Sequence, residues 1–148
     1  MSKRLAAVMA AFLSGCDFNP VQQANFTPRV VLFEGNDATQ DELCTLDIPS
    51  DQTNGFVYKF TTNPRCKNDE ARSLVLYYVP TGLRVLVYDD GDCMTSDSAT
   101  EIVVQRYIER KPIGTFEAEL IDNDVHISLL HRGNLDGKVS CVIIRHSP

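Results

Sequence analysis

An all-β sandwich is the fold class this sequence predicts, and three observations predict it. Short runs of aliphatic, β-branched and aromatic residues recur along the chain, most of them followed by Gly, Pro, Asn or Asp. No stretch after residue 28 carries apolar residues at helical spacing over three turns. Eight or so short antiparallel strands in about 120 residues suit a sandwich or barrel rather than a layered α/β fold.

The runs are justified in order. Residues 29–34 (RVVLFE) precede Gly35-Asn36-Asp37, and residues 55–61 (GFVYKFT) alternate apolar and polar side chains before Asn63-Pro64. Residues 73–79 (SLVLYYV) stop at Pro80-Thr81-Gly82, and residues 83–89 (LRVLVYD) end in Asp90-Gly91. Residues 102–108 come next, then 114–120 (GTFEAEL), where Phe116, Ala118 and Leu120 would share one face. Residues 125–130 precede Arg132-Gly133-Asn134, and residues 139–145 close the chain.

Composition bounds the function. The 148 residues, 43% hydrophobic and 23% charged, describe one globular domain. Such a chain buries roughly two-thirds of its unfolded surface. A net charge of −6 argues against nucleic acid, which needs a basic footprint to displace counterions. Tryptophan is absent, so a broad stacking surface is not expected.

Residues 1–15 are set apart from the fold. Lys3 and Arg4 begin it, Leu5 to Leu13 form a short apolar run, and Leu13-Ser14-Gly15-Cys16 follows. A bilayer-spanning helix needs about twenty apolar residues, so this run suits the core of a secretion signal. The final four residues resemble the lipobox of bacterial lipoproteins, which implies lipidation of Cys16 as the new N-terminus. Losing Lys3 and Arg4 would take the net charge from −6 to −8. Asp17 directly follows, and in enteric-type sorting an aspartate there resembles a signal for retention at the inner membrane. The expected organisation is a signal peptide at 1–15, a lipidated tether at 16–28 and a domain at 29–148, facing the periplasm.

Four further cysteines, Cys44, Cys66, Cys93 and Cys141, suit disulfides in an oxidising compartment. Zinc is disfavoured because no CxxC pair exists. Four cysteines allow three pairings, and a hint of duplication selects one. Val31-Leu32-Phe33-Glu34 and Val85-Leu86-Val87-Tyr88-Asp89 both end in an aromatic and an acid, while residues 68–74 (NDEARSL) can be laid over 135–141 (LDGKVSC). The second half must then carry about a dozen extra residues, between Asp89 and Ile102 or around Asp122. Each half holds two cysteines, which favours Cys44–Cys66 and Cys93–Cys141.

At these residues the chain resembles the βγ-crystallin family, whose domains are two Greek-key motifs packed as a small sandwich. The family's calcium sequence is Asn/Asp-Asn/Asp-x-x-Ser/Thr-Ser. Asn68, Asp69 and Ser73 occupy its first, second and sixth places, and Asp136 and Ser140 the second and sixth of another copy. Arg72 and Val139 stand in the fifth place, Leu135 where an Asn or Asp belongs, and the aromatic hairpin signature is missing after Phe33 and Tyr88. The resemblance therefore implies a crystallin-type sandwich with disabled calcium sites. A guanidinium in place of a hydroxyl removes one of calcium's six to eight oxygen ligands, so Arg72 is expected to pair with Asp69 or Glu70. Asp69 and Asp136 then act as turn residues accepting backbone N–H groups.

Other constellations are weaker. Asp89-Asp90-Gly91-Asp92 is a dense acidic turn without the closing acid of an EF-hand loop. His126 and His131, five apart, fall on opposite faces of a strand. Hydrolase motifs of the G-x-S-x-G, S-x-x-K and H-E-x-x-H types are absent. Neither a cofactor nor a small-molecule substrate is expected, and calcium is left as a weakened variant. The expected function is a non-catalytic, lipid-anchored envelope module with a structural or protein-binding role. The rival is a periplasmic inhibitor of a lysozyme or protease, drawn to a basic target by its acidic surface. Residues 89–101, with Asp89, Asp90 and Asp92 and anchored by Cys93, would be its binding loop.

Overall fold

The structure, a computed structural model, describes residues 26–48, 55–63 and 65–146. Cys16, Asp17 and the signal peptide lie outside the described residues. In chain order the strands are β1 (Arg29–Phe33), β2 (Glu42–Asp47), β3 (Phe56–Lys59), β4 (Ser73–Val79), β5 (Leu83–Tyr88), β6 (Ala99–Val104), β7 (Ile108–Ile113), β8 (Leu120–Ile121), β9 (Val125–His131) and β10 (Cys141–His146).

They form two antiparallel sheets, ordered β2-β1-β4-β7 and β3-β10-β5-β6-β9-β8. The order is internally symmetric. In the first half β2, β1 and β4 lie side by side while β3 crosses to the other sheet; in the second half β6, β5 and β10 lie side by side while β7 crosses back. The expected all-β sandwich of two Greek-key motifs is the fold observed. Alternation sets the core: Val30 and Leu32 of β1, Leu74 and Leu76 of β4, Val85 and Val87 of β5, and Val142 and Ile144 of β10 point into one apolar cluster. Each such side chain contributes about 1.5–3 kcal/mol when fully buried.

The β8–β9 hairpin breaks the symmetry. It supplies the extra residues of the second half at Asp122, one of the two places expected, and extends the second sheet beyond β6.

Three strand assignments differ from expectation. β2 was not anticipated, although Cys44, Leu46 and Ile48 alternate inward. Its Glu42, Thr45 and Asp47 face outward on a sheet edge, where polar residues are tolerated. The run at 102–108 divides: β6 ends at Val104, the Gln105 N–H bonds Asp124 O, and Ile108 opens β7 in the opposite sheet. β7 holds Pro112, which an edge strand accommodates. The expected strand at 114–120 is mostly loop. Phe116 is fully buried, whereas Ala118 and Leu120 are exposed, because the Phe116 backbone is engaged by the Asp136 carboxylate and the Thr100 hydroxyl rather than by a neighbouring strand.

Candidate functional site

Both disulfides form as expected. Cys44–Cys66 ties β2 to the loop before β4, and Cys93–Cys141 ties the β5–β6 loop to β10. Their placement follows from the internal symmetry. Phe33 opposes Ser73 across β1 and β4, and Tyr88 opposes Cys141 across β5 and β10, so Ser73 and Cys141 are equivalent positions. The two loops preceding these strands confirm the equivalence by exchanging bonds. The Asp69 N–H donates to Val139 O at 3.1 Å, and the Gly137 N–H donates to Ala71 O at 2.8 Å. Asp69 and Gly137 also share a left-handed backbone, with φ of 59° and 80°.

This register corrects the overlay made from sequence by one residue. Asp136 is equivalent to Asn68 rather than Asp69, and Ser140 to Arg72 rather than Ser73. Residue identity could not find this alignment, because a cysteine stands where the first half has a serine. The second stretch therefore runs from Asp136 to Cys141, with a hydroxyl, Ser140, in its fifth place.

Ser73 and Cys141 perform one task by different chemistry. In the first half the Ser73 Oγ donates to Gly35 O at 2.5 Å and accepts from the Ala38 N–H at 3.0 Å, fastening the β1–β2 loop to β4. In the second half the residue equivalent to Ala38 is Cys93, and the fastening is its disulfide to Cys141. Ala38 and Cys93 again share left-handed backbone, with φ of 55° and 64°.

The calcium-motif residues face each other across the two halves. Asp136 reaches the first half's β1–β2 loop, where its Oδ2 accepts from Asn36 Nδ2 at 2.6 Å; within its own half the same oxygen accepts from Thr115 Oγ1 at 2.7 Å and its Oδ1 from the Phe116 N–H at 2.9 Å. Asn36 and Thr115 carried no signal in the sequence, since nothing links them to Asp136 except the fold. Asp69 takes a hydrogen bond from Ser140 Oγ at 2.9 Å. The pairing of Arg72 with Asp69 or Glu70 does not form. Glu70 pairs with Lys67 at 3.3 Å, and Arg72 packs against Gly137, where a Cβ would lie 2.9 Å from its Nη2. Glu34, Gly35, Asn36, Gln40, Asp69, Glu70 and Arg72 line an open polar hollow there. Among the described residues no group of three or more His, Cys, Asp or Glu side chains is placed to hold a metal.

The acidic turn is braced. Asp90 Oδ1 accepts from the Asp92 N–H at 2.7 Å, and Asp92 pairs with Lys59 at 2.8 Å, which lowers the Asp92 carboxyl below its ordinary range. Burial, reinforced by Asp97, Asp69 and Asp90, raises the Asp89 carboxyl. Asp122 and Asp124 are occupied by cations: Lys111 contacts both, at 2.7 and 3.0 Å, and Arg106 holds Asp124. The Lys111 contact and the Val125 N–H bring Asp122 down to about 2. His126 lies beside Ser128 and His131 beside Thr95 O, so the two histidines make no common site.

No family model matches the sequence, and no curated protein matches it. Among solved structures the chain is similar to a double mutant of a βγ-crystallin domain from Clostridium beijerinckii, at 17% identity over 80% of this chain and 98% of that one, with a TM-score of 0.42. The fold assignment rests on the strand order and internal symmetry described above: a duplicated Greek-key sandwich.

Proposed function

We propose that this chain is a non-catalytic, lipid-anchored module of the bacterial envelope, a scaffold that holds its loops without calcium and serves a structural or protein-binding role. The Asp136 carboxylate supports this reading most directly. Both of its oxygens are taken by protein donors, Asn36 from the opposite half and Thr115 and Phe116 from its own, so its acceptor groups serve the fold. The disulfides fit an oxidising compartment, and the lipobox at Cys16 fits a membrane anchor. Fractionation tests the anchor: Cys16→Ser should abolish acylation, and the wild-type chain should carry acyl mass and sediment with membranes. A wild-type chain without acyl mass would sink the reading.

The inhibitor reading is favoured by one observation. The 89–98 loop is fixed by Cys93–Cys141, by Asp90 and by the Lys59–Asp92 pair, and it presents Met94 at 53% exposure. An ordered loop loses little entropy on binding. Binding to a basic muramidase at low salt would support this role, and its absence would remove it.

A further inference from the structure

The outer surface of the first sheet, where the chain enters the domain, carries an aromatic and basic cluster. Phe26 is 58% exposed and stacks on Tyr78 with centroids 4.4 Å apart. The Arg29 guanidinium lies 4.6 Å from the Tyr77 ring centroid and 5.8 Å from that of Tyr78. Arg110, opposite Tyr77 on β7, lies 5.9 Å from the same Tyr77 ring. Tyr78 adopts a left-handed backbone, φ 54°. That departure from alternation returns Val79 to the core after Leu76, leaving two consecutive tyrosines outside the core cluster.

Neither arginine has a carboxylate partner within ion-pair distance among the described residues. Asp47 stands opposite Arg29 on β2 and Glu109 precedes Arg110, yet the ion pairs among the described residues use Lys59, Lys67, Arg84, Arg106, Lys111 and Arg132. In so acidic a chain, two arginines without an ion-pair partner among the described residues, set beside three aromatic rings, stand out. The rings offer amphipathic bodies and the guanidinium groups can chelate phosphate. Position supplies the occupant. Cys16 precedes Phe26 by ten residue steps, which at full extension reach only about 35 Å.

We propose that this patch, Phe26, Arg29, Tyr77, Tyr78 and Arg110, rests on the anionic headgroups of the membrane that holds the protein, and so fixes the domain's orientation. The proposal depends on the lipid anchor at Cys16.

The absence of tryptophan allows a direct test. Phe26→Trp installs a single reporter in the patch, and Val57→Trp, 55% exposed on β3 at the edge of the other sheet, serves as reference. The full lipidated protein is reconstituted into vesicles of brominated phosphatidylcholine, with or without phosphatidylglycerol. Quenching should be greater for Phe26→Trp than for Val57→Trp, and greater when phosphatidylglycerol is present. Adding Arg29→Gln and Arg110→Gln should weaken docking by roughly fivefold per arginine and shrink the difference. Equal quenching of the two reporters would overturn the proposal, as would a difference insensitive to both anionic lipid and the arginines. Flotation and acyl mass report the anchor separately. Floating protein with equal quenching defeats the patch alone, and unacylated protein that does not float defeats the anchor and the patch together.

Discussion

Replacing the Cys93–Cys141 disulfide by a hydrogen bond tests the internal symmetry at its most informative point. The bond closes a sequence separation of 48 residues, for which the chain-entropy model gives a stabilisation of about 4 kcal/mol. Cys93→Ala with Cys141→Ala should lose about that amount. Cys93→Ala with Cys141→Ser re-creates the first half's arrangement, in which Ala38 donates its N–H to the Ser73 hydroxyl at 3.0 Å and that hydroxyl donates to Gly35 O. A restored hydrogen bond contributes about 1 kcal/mol net, so the serine variant should be the more stable of the two by that margin. Urea unfolding followed by tyrosine fluorescence and far-UV circular dichroism would measure both. A serine variant no more stable than the alanine variant would refute the equivalence of Ser73 and Cys141.

Other perturbations probe the junction and the charges. Asp136→Ala leaves the Phe116 N–H, Thr115 and Asn36 without their acceptor and should cost about 3 kcal/mol, read as a lower unfolding midpoint. The Asp89 carboxyl is raised, so its proton is held more tightly in the folded state. Its contribution therefore favours folding in acid and turns against it as pH rises through the raised pKa. Asp89→Asn should accordingly raise the Tm at neutral pH and leave it unchanged in acid. Asp122 has the opposite sign: its pKa falls to about 2, so its contribution is present above the ordinary carboxylate range and is lost as pH falls toward 2. Lys111→Met should cost about 1 kcal/mol at neutral pH, with the deficit closing in acid melts.

The sequence carried the fold class because six of the expected runs, around β1, β3, β4, β5, β9 and β10, alternate strongly or end in clear turn residues. β2 and β7 were missed because edge strands tolerate Glu, Thr, Asp, Lys and Pro, which mute the period-two signal. Phe116 was misread because a buried aromatic in a loop looks like one in a strand. The duplication was legible in the aromatic-acid ends of β1 and β5 and in the cysteine count, and both disulfides followed from it. Its register was not, since serine and cysteine share a position and a purpose without sharing an identity. The Asn36 and Thr115 contacts to Asp136 and the Arg29–Tyr77–Arg110 stack join residues distant in sequence, and only the sheet order brings them together.

Calcium is the most direct test of the central claim that protein groups hold the two halves together. Thermal melts of the disulfide-intact protein would be compared in millimolar calcium and in chelator. The account predicts superimposable curves, because Asp136 is occupied by Asn36, Thr115 and Phe116, and Arg72 fills the fifth place of the first stretch. A ligand present at a hundred times its Kd stabilises the native state by about 2.7 kcal/mol, a shift of roughly 5–10 °C for a domain of this size. A calcium-dependent rise of that order would contradict the account and return Asp69 and Ser140 to the role of metal ligands.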